Sequence, residues 1–149
     1  MFEYGRLPIW ARWIGFIPML AITAVAVYFV ANIWLEVWFG YFSNEIVQYL
    51  LGRIAFNLIG IYFCLFASIS MIPKGKIILA SIYLGLIVLL IGFVGTSYIF
   101  MGPGEEYKLW QIVLEAVLTF SSGLLALLTT ISWEKEQKEL ANTVIYTYD

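Results

Sequence analysis

Residues 13–35 form a run of 23 residues without a single charge, bounded by Arg12 and Glu36. Wound as an α-helix at ~1.5 Å per residue, such a run is about 34 Å long and crosses a hydrocarbon core of about 30 Å. Three more runs follow: 54–72 with 19 residues, 77–101 with 25, and 109–132 with 24, the last interrupted only by Glu115. In lipid every backbone N–H and C=O must find its partner inside the protein, which leaves helices or closed barrels. None of the runs alternates apolar and polar residues as barrel strands do. The expected fold is therefore all-α: a polytopic membrane protein whose four transmembrane helices form an antiparallel bundle. Residues 1–133 make the transmembrane domain, with spans at about 13–35, 54–72, 77–101 and 109–132. Residues 134–149 make a short cytoplasmic helical extension and tail.

Composition narrows the function. The chain is 62% hydrophobic and 12% charged, with a mean hydropathy of +0.91. Soluble domains average about 25% charged residues, and a chain of 149 residues has too little interior to hide this much apolar surface. The net charge of −2 gives no basic surplus for a phosphate backbone, so nucleic acid is not an expected partner. Histidine is absent, and with it the commonest general base and metal ligand. Cys64 is the only cysteine and lies in an apolar run, which suits a packed structural thiol better than a disulfide or a metal cage. No GxGxxG, P-loop, HExxH or GxSxG motif occurs. No catalytic, cofactor-binding or metal-ligating residue is assigned, and the chain does not read as an enzyme.

Arg6, Arg12 and the Ala24-Val25-Ala26 triplet imitate a signal peptide, but the apolar run continues through Val27-Tyr28-Phe29-Val30, too far for an h-region. The first span is expected to be a retained anchor. Pro73 and Gly75 suit a tight turn between the second and third spans, and Gly102-Pro103-Gly104 a break after the third. Pro18 is expected to kink the first helix or to sit in its first turn. Four spans place both termini on one side. That side carries Arg6, Arg12, Lys74, Lys76, Lys135 and Lys138, and the other carries Arg53 and Lys108. By the positive-inside rule both termini face the cytoplasm, across a bacterial inner or plasma membrane. Trp34, Trp38, Phe39, Tyr41 and Phe42 then mark the outer interface, and Trp10, Trp13 and Trp133 the inner one.

Each span carries a stripe of small or polar residues at helical spacing. These are Ala21, Ala24, Tyr28 and Asn32 on the first, and Arg53, Asn57, Gly60, Cys64 and Ser68 on the second. The third carries Ser81, Gly85, Gly92 and Thr96, and the fourth Gln111, Glu115, Thr119, Ser122 and Thr129. Small residues allow close backbone approach and hydroxyls bond across helices, so the stripes are expected to face the bundle interior.

Glu115 is the most informative residue. It lies six residues past Leu109, ~9 Å along its helix. A charge at that depth costs about 2.5 kcal/mol or more unless compensated. If residues 45–52 extend the second helix outward, Arg53 reaches a similar depth, with Asn57 one turn deeper and Asn32 and Glu36 closing the first span at the same level. This suggests an intramembrane polar network of Glu115, Arg53, Asn57, Glu36 and Asn32. It is either an ion pair that sets helix register or a proton, ion or ligand site.

Beyond Ser132 the sequence turns polar and helix-forming, with Glu134 and Lys138 spaced as a favourable pair. The helix is expected to end near Asn142. Thr143-Val144-Ile145-Tyr146-Thr147-Tyr148 is rich in β-formers, either frayed or adding to a partner's sheet edge. Lys74, Lys76, Glu134, Lys135, Lys138, Ile145 and Tyr146 are the candidate partner-docking residues. Taken together, the chain reads as a small integral membrane subunit that assembles with itself, anchors a cytoplasmic partner protein, or both, as in a defence-type or envelope complex. The alternative is a homo-oligomeric channel, holin-like pore or proton-coupled transporter using Glu115.

Overall fold

A computed structural model describes residues 7–39, 44–102 and 108–146. Five α-helices follow in order: α1 (Ile9–Phe39), α2 (Glu45–Arg53), α3 (Ile61–Met71), α4 (Lys76–Met101) and α5 (Leu109–Tyr146). A π-helical segment, Ile54–Gly60, joins α2 to α3. No strand occurs among the described residues. Four stretches are long and apolar enough to cross a membrane: Ile9–Val37, Glu45–Met71, Lys76–Phe100 and Leu109–Leu140. Over the described residues the protein is thus all-helical, a membrane protein with four candidate spans.

The second span is one continuous rod. Asn44 caps it, its side chain accepting the Ile46 N–H at 2.9 Å, and Glu45 in the first turn complements the helix dipole. Arg53 consequently sits two turns inside the helix. Past Arg53 the backbone widens, and Ile61 N–H reaches back five residues to the Phe56 carbonyl. Such π-segments are uncommon and concentrate at functional sites.

This rod is the centre of the bundle. Half of its most apolar stretch is buried, against 6% for the first span, 11% for the third and 17% for the fourth. Helix α1 lies against it through Thr23, Val27, Ala31 and Leu35, four residues apart and all at least partly buried. Gly60 makes the approach possible, because a Cβ there would stand 2.7 Å from Val27 Cγ1. On the other flank α4 packs on α5. A Cβ at Gly123 would come within 2.7 Å of Ile87 Cδ1 and 3.1 Å of Leu84 Cδ1. Leu65, Ile69, Ala80, Ile87 and Ala126 form the buried core. Ser68, fully buried, links three helices: its hydroxyl donates to the Phe16 carbonyl at 3.0 Å and shares a 2.7 Å bond with Tyr83 Oη.

The stripes divide into two groups. Gly60, Cys64, Ser68 and Ser122 are buried, and Arg53, Asn57, Gln111, Glu115, Thr119 and Thr129 partly so. Ser81, Gly85, Gly92 and Thr96 on α4 are exposed instead, as are Ala21, Ala24 and Tyr28 on α1. The expectation that all four stripes face the interior is corrected for these two helices. A helix that is apolar all round has no polar face to mark its outside, so periodicity alone could not say which side meets protein.

One open alternative is decided and one further expectation changes. Pro18 lies inside α1 rather than in its first turn, because the helix already starts at Ile9. Helix α5 does not stop near Asn142 but runs to Tyr146, so Thr143-Val144-Ile145-Tyr146 is helical. The preceding polar helix carries the β-favouring residues along with it. The turn before α4 is as expected, with Gly75 at φ 77°, a conformation that favours glycine. Glu3, Arg6, Tyr41, Phe42, Pro103, Glu105 and Glu106 lie outside the described residues.

Candidate functional site: an ion pair between two helices

Two helices bring opposite charges together. Asn44 starts α2 early enough that Arg53 stands ~12 Å along the rod, and Glu115 stands ~9 Å along α5. Arg53 Nε lies 2.9 Å from Glu115 Oε1. Tyr49, one turn before Arg53, donates its hydroxyl to the same oxygen at 2.7 Å. The Arg53 guanidinium carbon also lies 5.0 Å from the centre of the Tyr49 ring, within cation–π range. Trp110 meets that ring edge to face, with centroids 5.4 Å apart.

Glu115 Oε1 thus receives an N–H from a cation and an O–H from a phenol. Charge-assisted bonds of this length are the strong kind, and they compensate the carboxylate. About a third of each charged side chain stays accessible, 32% for Arg53 and 30% for Glu115. The pair therefore stands at the flank of the bundle and not in its sealed core. Beside it, Glu45, Gln48, Tyr49, Gly52, Arg53 and Phe56 line an open depression of about 340 Å³.

The other members of the expected network are placed differently. Asn32 donates its amide to Tyr28 O of its own helix at 2.9 Å. Asn57 is half-buried on the π-helical segment, and Glu36 is exposed towards the end of α1. Tyr49 was not among the residues singled out from sequence. Its spacing of four from Arg53 puts both on one helix face, and that was the available signal.

At the opposite end of the bundle, Lys76 is only 7% exposed, with Nζ 3.8 Å from the centre of the Trp133 ring. As a docking candidate it is already engaged, whereas Lys74 beside it is exposed. On the α5 extension Lys135 pairs with Glu139 at 4.0 Å, in place of the expected Glu134–Lys138 pair. Lys138 is exposed and Glu134 half-buried. The side chains of Ile145 and Tyr146 lie outside the described residues. Comparisons with protein-family models, curated proteins and solved structures gave no match.

Proposed function

We propose that this protein is a small, non-catalytic membrane subunit that assembles with further helices inside the bilayer. In this reading the four helices cross as an antiparallel bundle, both termini face the cytoplasm, and the exposed part of α5 offers a handle to a cytoplasmic partner protein. The observation that carries the reading is the outward face of α4. Ser81, Gly85, Gly92 and Thr96 are exposed there, and a Cβ added at Gly85, Gly92 or Gly95 would meet nothing within 4 Å. In lipid, where apolar side chains gain little from leaving one solvent for a similar one, close backbone approach at small residues is what drives helices together. The compensated charge of Glu115 fits the same reading, since an ion pair held by a third hydrogen bond serves register and fold.

The experiment is gentle extraction followed by mass measurement of the intact complex, for the natural chain and for a Gly85→Leu/Gly92→Leu variant. Assembly predicts a fixed multiple or a fixed-ratio complex for the natural chain and the single chain for the variant. A monomer in both cases removes the reading.

A second reading, a pore or proton-coupled carrier built on Glu115, is favoured by the partial exposure of the ion pair beside an open depression. Ion or proton flux into liposomes that disappears with Glu115→Gln, while the complex keeps its mass, would establish it over the first.

A further inference from the structure

The end of the bundle opposite the Arg53–Glu115 pair gathers positive charge from three places in the chain. Arg12 on α1 donates Nε to the Met71 carbonyl at 3.0 Å, at the close of α3. Three residues on, Lys74 stands exposed in the turn. Lys76 opens α4, 7% exposed against Trp133. Arg12 and Lys76 are close enough to feel each other electrostatically, and Glu134 is the carboxylate that Lys76 also feels. Arg12, Lys74 and Lys76 thus gather at this end, with Glu134 the carboxylate nearest in effect to Lys76.

The backbone adds to this. Helix α4 begins after Gly75 with no side-chain cap and no acidic residue in its first turn, so no side chain of its own offsets its first N–H groups and the positive end of its dipole. Among the described residues Arg12 engages only Nε, which leaves both terminal amino groups to form a fork. Trp10 and Trp13 flank Arg12, 68% and 48% exposed, as aromatic rings do at the level of lipid headgroups.

We propose that Arg12, Lys74 and Lys76 form a binding site for the headgroup phosphate of an anionic phospholipid, drawn from the leaflet at this end of the bundle. The Arg12 fork and the Lys74 ammonium hold the phosphate. Lys76 supplies charge from behind, with Trp133 fixing its position. Basic residues gathered from several helix ends at the level of the headgroups are the arrangement that retains acidic lipids. The site is independent of the assembly proposed above, because it uses the ends of α1, α3 and α4 and not the glycine face of α4.

The full chain, extracted from vesicles of mixed phosphatidylglycerol and phosphatidylcholine, tests this by counting retained lipids by native mass spectrometry. The natural chain is expected to retain phosphatidylglycerol over phosphatidylcholine. Lys74→Gln is expected to lower that retention about fivefold, and Arg12→Gln/Lys74→Gln further. Lys108→Gln, which removes a cation elsewhere, is expected to leave it unchanged. Lys74 is exposed, so the single variant keeps the test valid if Arg12→Gln perturbs folding. Equal retention of the two lipids, or undiminished phosphatidylglycerol with Lys74→Gln and the double variant, overturns the proposal. Displacement of the lipid by millimolar inorganic phosphate overturns the assignment to a lipid and makes the site one for free phosphate.

Discussion

Arg53 and Tyr49 stand one turn apart on a single helix face, and both direct a hydrogen to the same oxygen of Glu115 on another helix. One acceptor thus joins α2 to α5, and the Arg53 cation neutralises the charge that makes the carboxylate costly to bury.

Removing either charge leaves the other uncompensated. Arg53→Gln or Glu115→Gln is expected to cost about 2 kcal/mol, between the values for exposed and fully buried pairs because a third of each side chain is accessible. The double variant is expected to cost less than the sum of the two. Tyr49→Phe loses one charge-assisted bond, for about 1.5 kcal/mol. Thermal unfolding in detergent of the singles and the double gives the coupling; strict additivity would mean the two residues do not interact.

Glycines differ by what surrounds them. Gly60→Leu and Gly123→Leu drive a side chain into Val27 or into Leu84 and Ile87, and each is expected to destabilise the chain by about 2–3 kcal/mol. Gly85→Leu meets open space and is expected to leave the melting of the isolated chain unchanged. Equal effects at Gly85 and Gly123 would contradict the packing.

Ser68 joins α1, α3 and α4 through one hydroxyl. Ser68→Ala strands Tyr83 Oη and is expected to cost about 1–2 kcal/mol. Tyr83→Phe/Ser68→Ala together are expected to cost less than the two single changes summed. Melting of the three variants in detergent checks this.

Topology is open to chemical labelling. Cys64 is buried and is expected not to react with an impermeant maleimide. In a Cys64→Ala background, cysteines placed at Lys74 and Lys138 are expected to label from one side of a sealed membrane, and one at Lys108 from the other. Labelling of all three from the same side would mean that the helices do not alternate.

The existence of four long apolar helices was legible in residues 13–35, 54–72, 77–101 and 109–132, because lipid requires a charge-free length and a closed hydrogen-bond pattern. The meeting of Arg53 with Glu115 was legible for the same reason: two opposite charges at one depth in an apolar medium have few other partners. What the tertiary structure alone decided is which faces touch. On α4, Ser81, Gly85, Gly92 and Thr96 looked like an interior seam, yet Ala80, Leu84 and Ile87 lie against α5, where Ser122, Gly123, Ala126 and Thr130 provide the small surface. One small-residue stripe suffices for a close crossing, and either helix could have supplied it. The joining of Arg12 to Met71 and of Lys76 to Trp133 depends likewise on how α1 and α5 lie against the turn before α4. Hydropathy carries no record of that, because every side of these helices is compatible with lipid.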